Sequence, residues 1–267
     1  VPTCEDIMRI AIHQMMSVDR SVADNIAHLD QACADAKTDA ADLVIFPEMA
    51  LTGYNIGADR IRQLAQLRDG AMVQSLRDMA KRHAIGVLCG FPEADGAQVF
   101  NAAALIDASG IVLAVCRKVH LFGAVDRAAF SAADTLCPLV QFGDWSVGLA
   151  ICYDVEFPEL VRAYALAGAD AVLVPTANML PYIGVATRMV PARAEENEIY
   201  IAYANRVGTE GAFEYCGLSC VTGPDGLDLA RADNNEEMIF AELSKDHLLE
   251  VRHALSHLSD RRPDLYR

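Results

Sequence analysis

The sequence predicts a mixed α/β fold. Three observations carry that expectation. Helical and strand-like segments alternate along the chain, several strand pairs are joined by short hairpin turns, and no Pro-, Gly- or Ser-rich linker interrupts them. Alternation with hairpins implies mixed rather than purely parallel sheets. Two sheets face to face with helices outside fit the element count, as does a three-layer arrangement. The whole span, 1–267, is expected to form one domain.

The elements follow in order. Residues 7–14 and 42–46 read as strands. Between them Val22, Ile26, Leu29, Cys33 and Ala36 recur at helical spacing and make one apolar face. A second helical region covers 58–83 and breaks at Asp69-Gly70. Strand 84–91 follows, then the β-rich runs 98–107 and 111–117 around the turn Ala108-Ser109-Gly110. Residues 138–142 and 145–151 repeat the hairpin around Gly143-Asp144. A helix over 158–168 opens at Pro158 and closes at Gly168. Strand 170–175 then makes 145–175 a β-α-β unit. A helix over 184–198, a strand over 199–204 and a hairpin across Gly223-Pro224-Asp225-Gly226 complete the pattern. Residues 245–267 are expected to form a C-terminal helix and tail at an oligomer interface, with Leu248, Leu249, Val251, Leu255 and Leu258 as its apolar stripe and His253 and His257 on the helix.

Composition narrows the function classes. Acidic residues number 37 against 22 basic ones, a formal charge of -15. That balance argues against nucleic acid or an anionic membrane as partner. No apolar run approaches the roughly 20 residues of a membrane span, and the opening VPTCEDIMRI lacks the pattern of a secretory leader. The eight cysteines, at 4, 33, 89, 116, 137, 152, 216 and 220, include no C-x-x-C pair and no zinc spacing. They read as reduced thiols of a cytoplasmic protein.

In three segments a reactive side chain follows directly on a strand end, where scaffolds present catalytic groups. Glu48 follows the run LVIFP, Lys118 ends the strand VLAVCR, and Cys152 follows VGLAI. Singly each has a bland reading: a solvated loop carboxylate, a surface ammonium, one more buried thiol. Together they form a unit in which a carboxylate takes a thiol proton, the thiolate attacks, and the ammonium stabilises developing charge. A thiol at a strand-to-helix junction can gain thiolate character from nearby N–H groups and cations. There is no G-x-S-x-G elbow, P-loop or G-x-G-x-x-G.

The ordered motifs FPE, RKVHLFG, CYDVEFPE, PTAN, ARAEEN and YANRVG resemble the nitrilase superfamily of carbon–nitrogen hydrolases over nearly the whole chain. The resemblance implies a four-layer α-β-β-α sandwich and a homodimer or larger homo-oligomer. It also implies a Glu48, Lys118, Cys152 triad that needs neither metal nor organic cofactor. The family's second glutamate falls on Asp126, one methylene shorter. The expectation is that the loop 122–130 is drawn inward, with Ala124, Ala128 and Ala129 allowing close approach, so that Asp126 reaches Lys118 or the substrate nitrogen. Cys152-Tyr153-Asp154-Val155 is similar to amidase members rather than to nitrilases proper, and Val155 offers no carboxylate clamp. Arg188 is expected to point outward. Tyr54, Tyr153, Asn178 and Met179 are candidates for contact with substrate, and the loop 178–184 for the pocket mouth. The expected activity is hydrolysis of a small neutral carboxamide through a thioester. The alternatives are a nitrilase, an N-carbamoyl-amine hydrolase and, more remotely, a catalytically silent binding protein.

Overall fold

The computed structural model describes residues 7–266; Cys4 and most of the opening decapeptide lie outside them. Two mixed sheets stack face to face. The first contains β1 (Ile7–Ser17), β2 (Leu43–Ile45), β3 (Gly86–Asp95), β4 (Gln98–Ile106) and β5 (Val112–Arg117). The second is built around β6 (Val140–Phe142), β7 (Trp145–Leu149), β8 (Ala171–Pro175) and β9 (Tyr200–Ala204). β10 (Arg206–Glu210) and β11 (Phe213–Cys216) extend the first sheet, β12 (Cys220–Thr222) and β13 (Asp228–Arg231) the second, and β14 (Glu237–Ser244) returns to pair with β1.

The pairing explains the mixed character. β1, β2 and β3 run parallel, as do β7, β8 and β9. The hairpins β3–β4–β5, β6–β7 and β12–β13 are antiparallel. One edge of β1 serves two partners: β14 along residues 7–14 and β10 along 15–17. The hairpin glycines Gly110 and Gly143 take positive φ, +78° and +57°, a conformation that costs glycine no steric strain.

Three apolar layers hold this together. Ile10, Ile12, Leu43, Ile45, Leu88 and Leu105 of the first sheet meet Trp145, Val147, Leu149, Leu173 and Ala202 of the second. The outer face of the first sheet is covered by α1 (Val22–Thr38) and α3 (Ala71–His83), that of the second by α5 (Pro158–Leu166) and α6 (Val190–Asn197). This is the four-layer α-β-β-α order. Ser21 caps α1 by accepting the Asp24 N–H at 3.1 Å. The break expected at Asp69-Gly70 separates α2 (Ala58–Leu64) from α3.

Several expectations need correction. The stretch after the lysine motif is a short helix, α4 (Gly123–Ala129), not a loop. The helix expected over 184–198 begins as a π-helical turn, Val185–Met189, before α6. The C-terminal helix α7 stops at Ala254, so His253 lies on it and His257 lies beyond. Within its stripe, Leu248 packs into the core between the sheets and Val251 is buried, while Leu249 is exposed. Among the described residues, no helix is long and apolar enough to cross a membrane.

Candidate active site

The packing brings three strand ends to one edge of the sandwich. β2 leads through Phe46 and Pro47 to Glu48, whose N–H donates to Thr176 O just past β8. β5 leads to Lys118, whose N–H donates to Asn101 O of β4. β7 leads through Ala150 and Ile151 to Cys152, the first residue of a 3-10 turn, Cys152–Glu156. Cys152 sits at φ +51°. A non-glycine residue held there stores local strain, and such strain gathers at functional sites.

Glu48, Lys118 and Asp126 are fully buried, which overturns the solvent readings open to the first two. Lys118 Nζ lies 2.8 Å from Glu48 Oε1 and 2.8 Å from Asp126 Oδ2. An ammonium has three donors, so one remains for a third acceptor. Asn101 Nδ2 donates to Glu48 Oε1 at 2.6 Å. Both fixed contacts therefore fall on one oxygen, and Glu48 Oε2 has no conventional nitrogen or oxygen partner. The Cys152 thiol faces this carboxylate, with the Thr176 hydroxyl and the Ala177 N–H beside it.

The electrostatics follow from burial. Desolvation pushes the Cys152 thiol well above its ordinary range, and the Glu48 charge adds to this; Lys118 opposes both without cancelling them. The resting sulfur is therefore a protonated thiol. Burial also raises Glu48, against the pull of Lys118 and with the push of Asp126. For Lys118 burial works against the charge. The carboxylates of Glu48 and Asp126, each 2.8 Å from Nζ, outweigh it and hold the ammonium charged.

Asp126 reaches Lys118 despite its missing methylene because α4 carries it inward. Of the three alanines expected to permit this, Ala129 is buried, whereas Ala124 and Ala128 face solvent. Phe122 N–H donates to Asp126 Oδ2 at 2.8 Å, and Tyr54 Oη donates to Oδ1 at 2.8 Å. Tyr54 is buried, and its hydroxyl is directed to the carboxylate. The loop bearing it is tied by Glu210, which accepts the Tyr54 N–H and the Tyr215 hydroxyl and faces Arg206.

The other candidates line the surroundings. Tyr153 is half-buried and packs edge-on against Phe122 and Phe157. Phe122 also meets Tyr182 edge-on, at 5.8 Å between centroids. Leu180 and Ile183 are exposed beside this aromatic group. Asn178 is buried, its side chain donating to Tyr182 O at 3.0 Å. Met179 packs with Met49, Tyr54 and Tyr215. Val155 is buried, and Arg188 is exposed, as expected.

Two residues of this site escape sequence reasoning. Asn101 is a lone amide in the apolar strand QVFNAAALI, and that interruption is its signal. Asp154 stands in the sequence only as part of the motif CYDVEFPE. It accepts His120 N–H at 2.8 Å and His120 Nδ1 at 2.9 Å on one oxygen, and Ile151 N–H at 3.1 Å on the other. It thus clamps the segment after Lys118 to the residue before Cys152.

A family model described as carbon-nitrogen hydrolase matches residues 9–253. The chain is 46% identical over 261 residues to the hydrolase in the pqqF 5′ region of Pseudomonas protegens, covering 97% of this chain and 90% of that protein. It is 34% identical over 256 residues to an (R)-stereoselective amidase of a Pseudomonas species, covering 96% and 92%. Among solved structures, an amidase from Nesterenkonia sp. superposes with a TM-score of 0.84 at 34% identity, covering 97% of this chain and 95% of that one. A mutant of that amidase carries the acetamide moiety of fluoroacetamide added covalently at its active-site cysteine; it superposes with a TM-score of 0.85 at 32% identity, covering 100% and 98%.

Proposed function

The chain belongs to the carbon–nitrogen hydrolase family, and from that premise we propose that it is an amidase converting a small neutral carboxamide to carboxylate and ammonia. The observation that carries the proposal is the asymmetry of Glu48. Lys118 and Asn101 hold one oxygen, and the other is left for the Cys152 proton.

Glu48 removes the thiol proton as the sulfur attacks the amide carbon, which avoids a free thiolate in a site that disfavours one. The tetrahedral oxyanion is met by the third Lys118 donor and the N–H of Tyr153. Such preorganised donors in a water-poor site contribute on the order of several kcal/mol. Glu48 passes its proton to the departing nitrogen, and ammonia leaves a thioester on Cys152. Glu48 then activates water, which cleaves the thioester to carboxylate and restores the thiol. Asp126 and Tyr54 act on Lys118, keeping it charged and aimed.

Specificity follows from what the mouth presents. Phe122, Tyr153 and Tyr182 offer aromatic surface, and Val155, at the position three after Cys152, is apolar. Glu156, half-buried in the turn after Cys152 and raised by that burial, disfavours anionic substrates. The related amidase bound to an acetamide moiety supports a compact acyl group. Ammonia release from a panel of amides, nitriles and carbamoyl compounds tests the reading, with turnover of simple amides expected. Exclusive turnover of nitriles or carbamoyl compounds overturns it.

The protein is also proposed to act in the cytoplasm as a homodimer. Exposed Leu166, Leu249, Leu265 and Tyr266 would join the interface. Light scattering decides the assembly: a mass near 28.9 kDa at micromolar concentration rules the dimer out.

A further inference from the structure

Away from Cys152, three side chains that can ligate a metal converge. His13 projects from β1, His28 from α1, and Glu236 from the loop leading into β14. The two Nε2 atoms are 3.1 Å apart, His28 Nε2 is 3.0 Å from Glu236 Oε1, and His13 Nε2 is 3.8 Å from the same oxygen. We propose that His13, His28 and Glu236 form a binding site for a divalent transition cation, of which Zn2+ is the best fit.

The geometry makes the argument. A tetrahedral zinc with ligand bonds of about 2.0–2.1 Å separates its ligands by about 3.3–3.4 Å. The three separations here bracket that edge, so the cluster already has the dimensions of one tetrahedral face. The fourth position is left for water or an added ligand. Hydrogen bonding satisfies the cluster poorly. Two Nε2 atoms this close cannot both carry a proton. Between the two rings and the carboxylate a single proton is then shared by three converging heteroatoms, besides the N–H that Met16 donates to Glu236 Oε1. A cation satisfies all three, and imidazole with carboxylate is a ligand set suited to zinc.

The ligands are also pre-positioned. Met16 N–H donates to Glu236 Oε1 at 3.0 Å. Gln14 Nε2 donates at 2.8 Å to both Asp233 O and Asn235 O, fixing the loop that carries Glu236. The His13 ring packs edge-on against Phe46, two residues before Glu48. Asp35 on α1 adds negative charge near His13, and Arg20 opposes it. A bound cation would tie α1 and the 233–236 loop to β1 and so act as a structural clamp. It has no part in the amide chemistry.

The test uses the full chain, freed of metal by chelator and titrated with Zn2+ by calorimetry, with melting followed in parallel. Saturable uptake of one Zn2+ per chain and a raised Tm are expected. Both should vanish in His28→Gln and in Glu236→Gln, a half-buried and an exposed position whose replacement leaves the core intact. Co2+ should give a tetrahedral visible spectrum without thiolate charge transfer. Uptake unchanged in both variants, a thiolate band, or no saturable uptake in the wild type would each overturn the site.

Discussion

Asp126 Oδ2 approaches Lys118 Nζ as closely as Glu48 Oε1 does, at 2.8 Å. The ammonium is therefore centred between two buried carboxylates. The aspartate sits on the short helix α4, and Phe122 N–H and Tyr54 Oη hold its carboxylate against the ammonium. Asp126→Asn should lower kcat by about 10²-fold or more, since it removes a charge that orients the ammonium. A donor amide beside these donors should also cost roughly 1–3 kcal/mol of stability. Asp126→Glu should keep most activity but lose about 1–3 kcal/mol, because the extra methylene enters a filled site. Steady-state kinetics with urea unfolding of both variants checks this. A near-wild-type rate for the asparagine variant would make Asp126 a bystander.

The same charge sets a pH signature. Burial raises Glu48 above an ordinary carboxyl of 4.5, and Asp126 raises it further. As a general base Glu48 must be ionised, so kcat/KM should fall on acidification with a midpoint above 4.5. Neutralising position 126 removes a repulsive negative charge and makes ionisation of Glu48 easier. The acid limb of Asp126→Asn should therefore move to lower pH, even as its plateau drops. For stability the sign is the reverse of the usual carboxylate case. A raised folded-state pKa makes Glu48 favour the folded state below its unfolded value and lose that contribution as pH rises through the folded value. A limb that stays in place in the asparagine variant would deny the coupling.

Tyr54 offers a narrower probe. Its hydroxyl donates to Asp126 Oδ1, and Tyr54→Phe deletes that donor while keeping the ring. The carboxylate oxygen is left buried and short of a partner, at a cost of about 1–3 kcal/mol. A fall in kcat of about 10-fold with little change in KM is expected, because Tyr54 touches the acid rather than the substrate. A raised KM with unchanged kcat would instead place Tyr54 against the substrate.

What could be read in the sequence divides along physical lines. Strand ends were legible because apolar runs stop abruptly at Glu48, Lys118 and Cys152, and the β-α-β unit over 145–175 because period and length change together. α4 was not, since GAVDRAA is too short to show helical periodicity and is held by Asp126 accepting the Phe122 N–H. β10, β11 and β14 were missed because β10 and β11 mix polar residues and glycine into short runs, and β14 pairs with a strand more than two hundred residues away. The roles of Asn101 and Asp154 depend on which groups their side chains meet, the Glu48 carboxylate in one case and the His120 and Ile151 N–H groups in the other, information that no spacing carries. The thiol's raised pKa is likewise a property of the closed site.

Gly90 tests whether the triad depends on backbone fit as well as on its own side chains. The glycine lies in β3 directly behind the turn that presents Glu48. A methyl group there would stand 2.5 Å from Met49 N and 2.9 Å from Glu48 Cα. Both are backbone atoms of a buried turn and cannot rotate away. Met49 already occupies φ +51°, so the turn has little freedom to absorb a shift. Gly90→Ala should therefore push the Glu48 backbone away from β3 while Lys118 and Asn101 hold its carboxylate. A displacement of about 1 Å at a catalytic group can cost on the order of 10²-fold in rate. Circular dichroism should report a folded protein, kcat should fall by that order, and the rate at which a small thiol reagent labels Cys152 should change because its facing base has moved. Wild-type kcat in a folded Gly90→Ala protein would show that the turn tolerates the methyl group and that Glu48 is positioned by its side-chain partners alone.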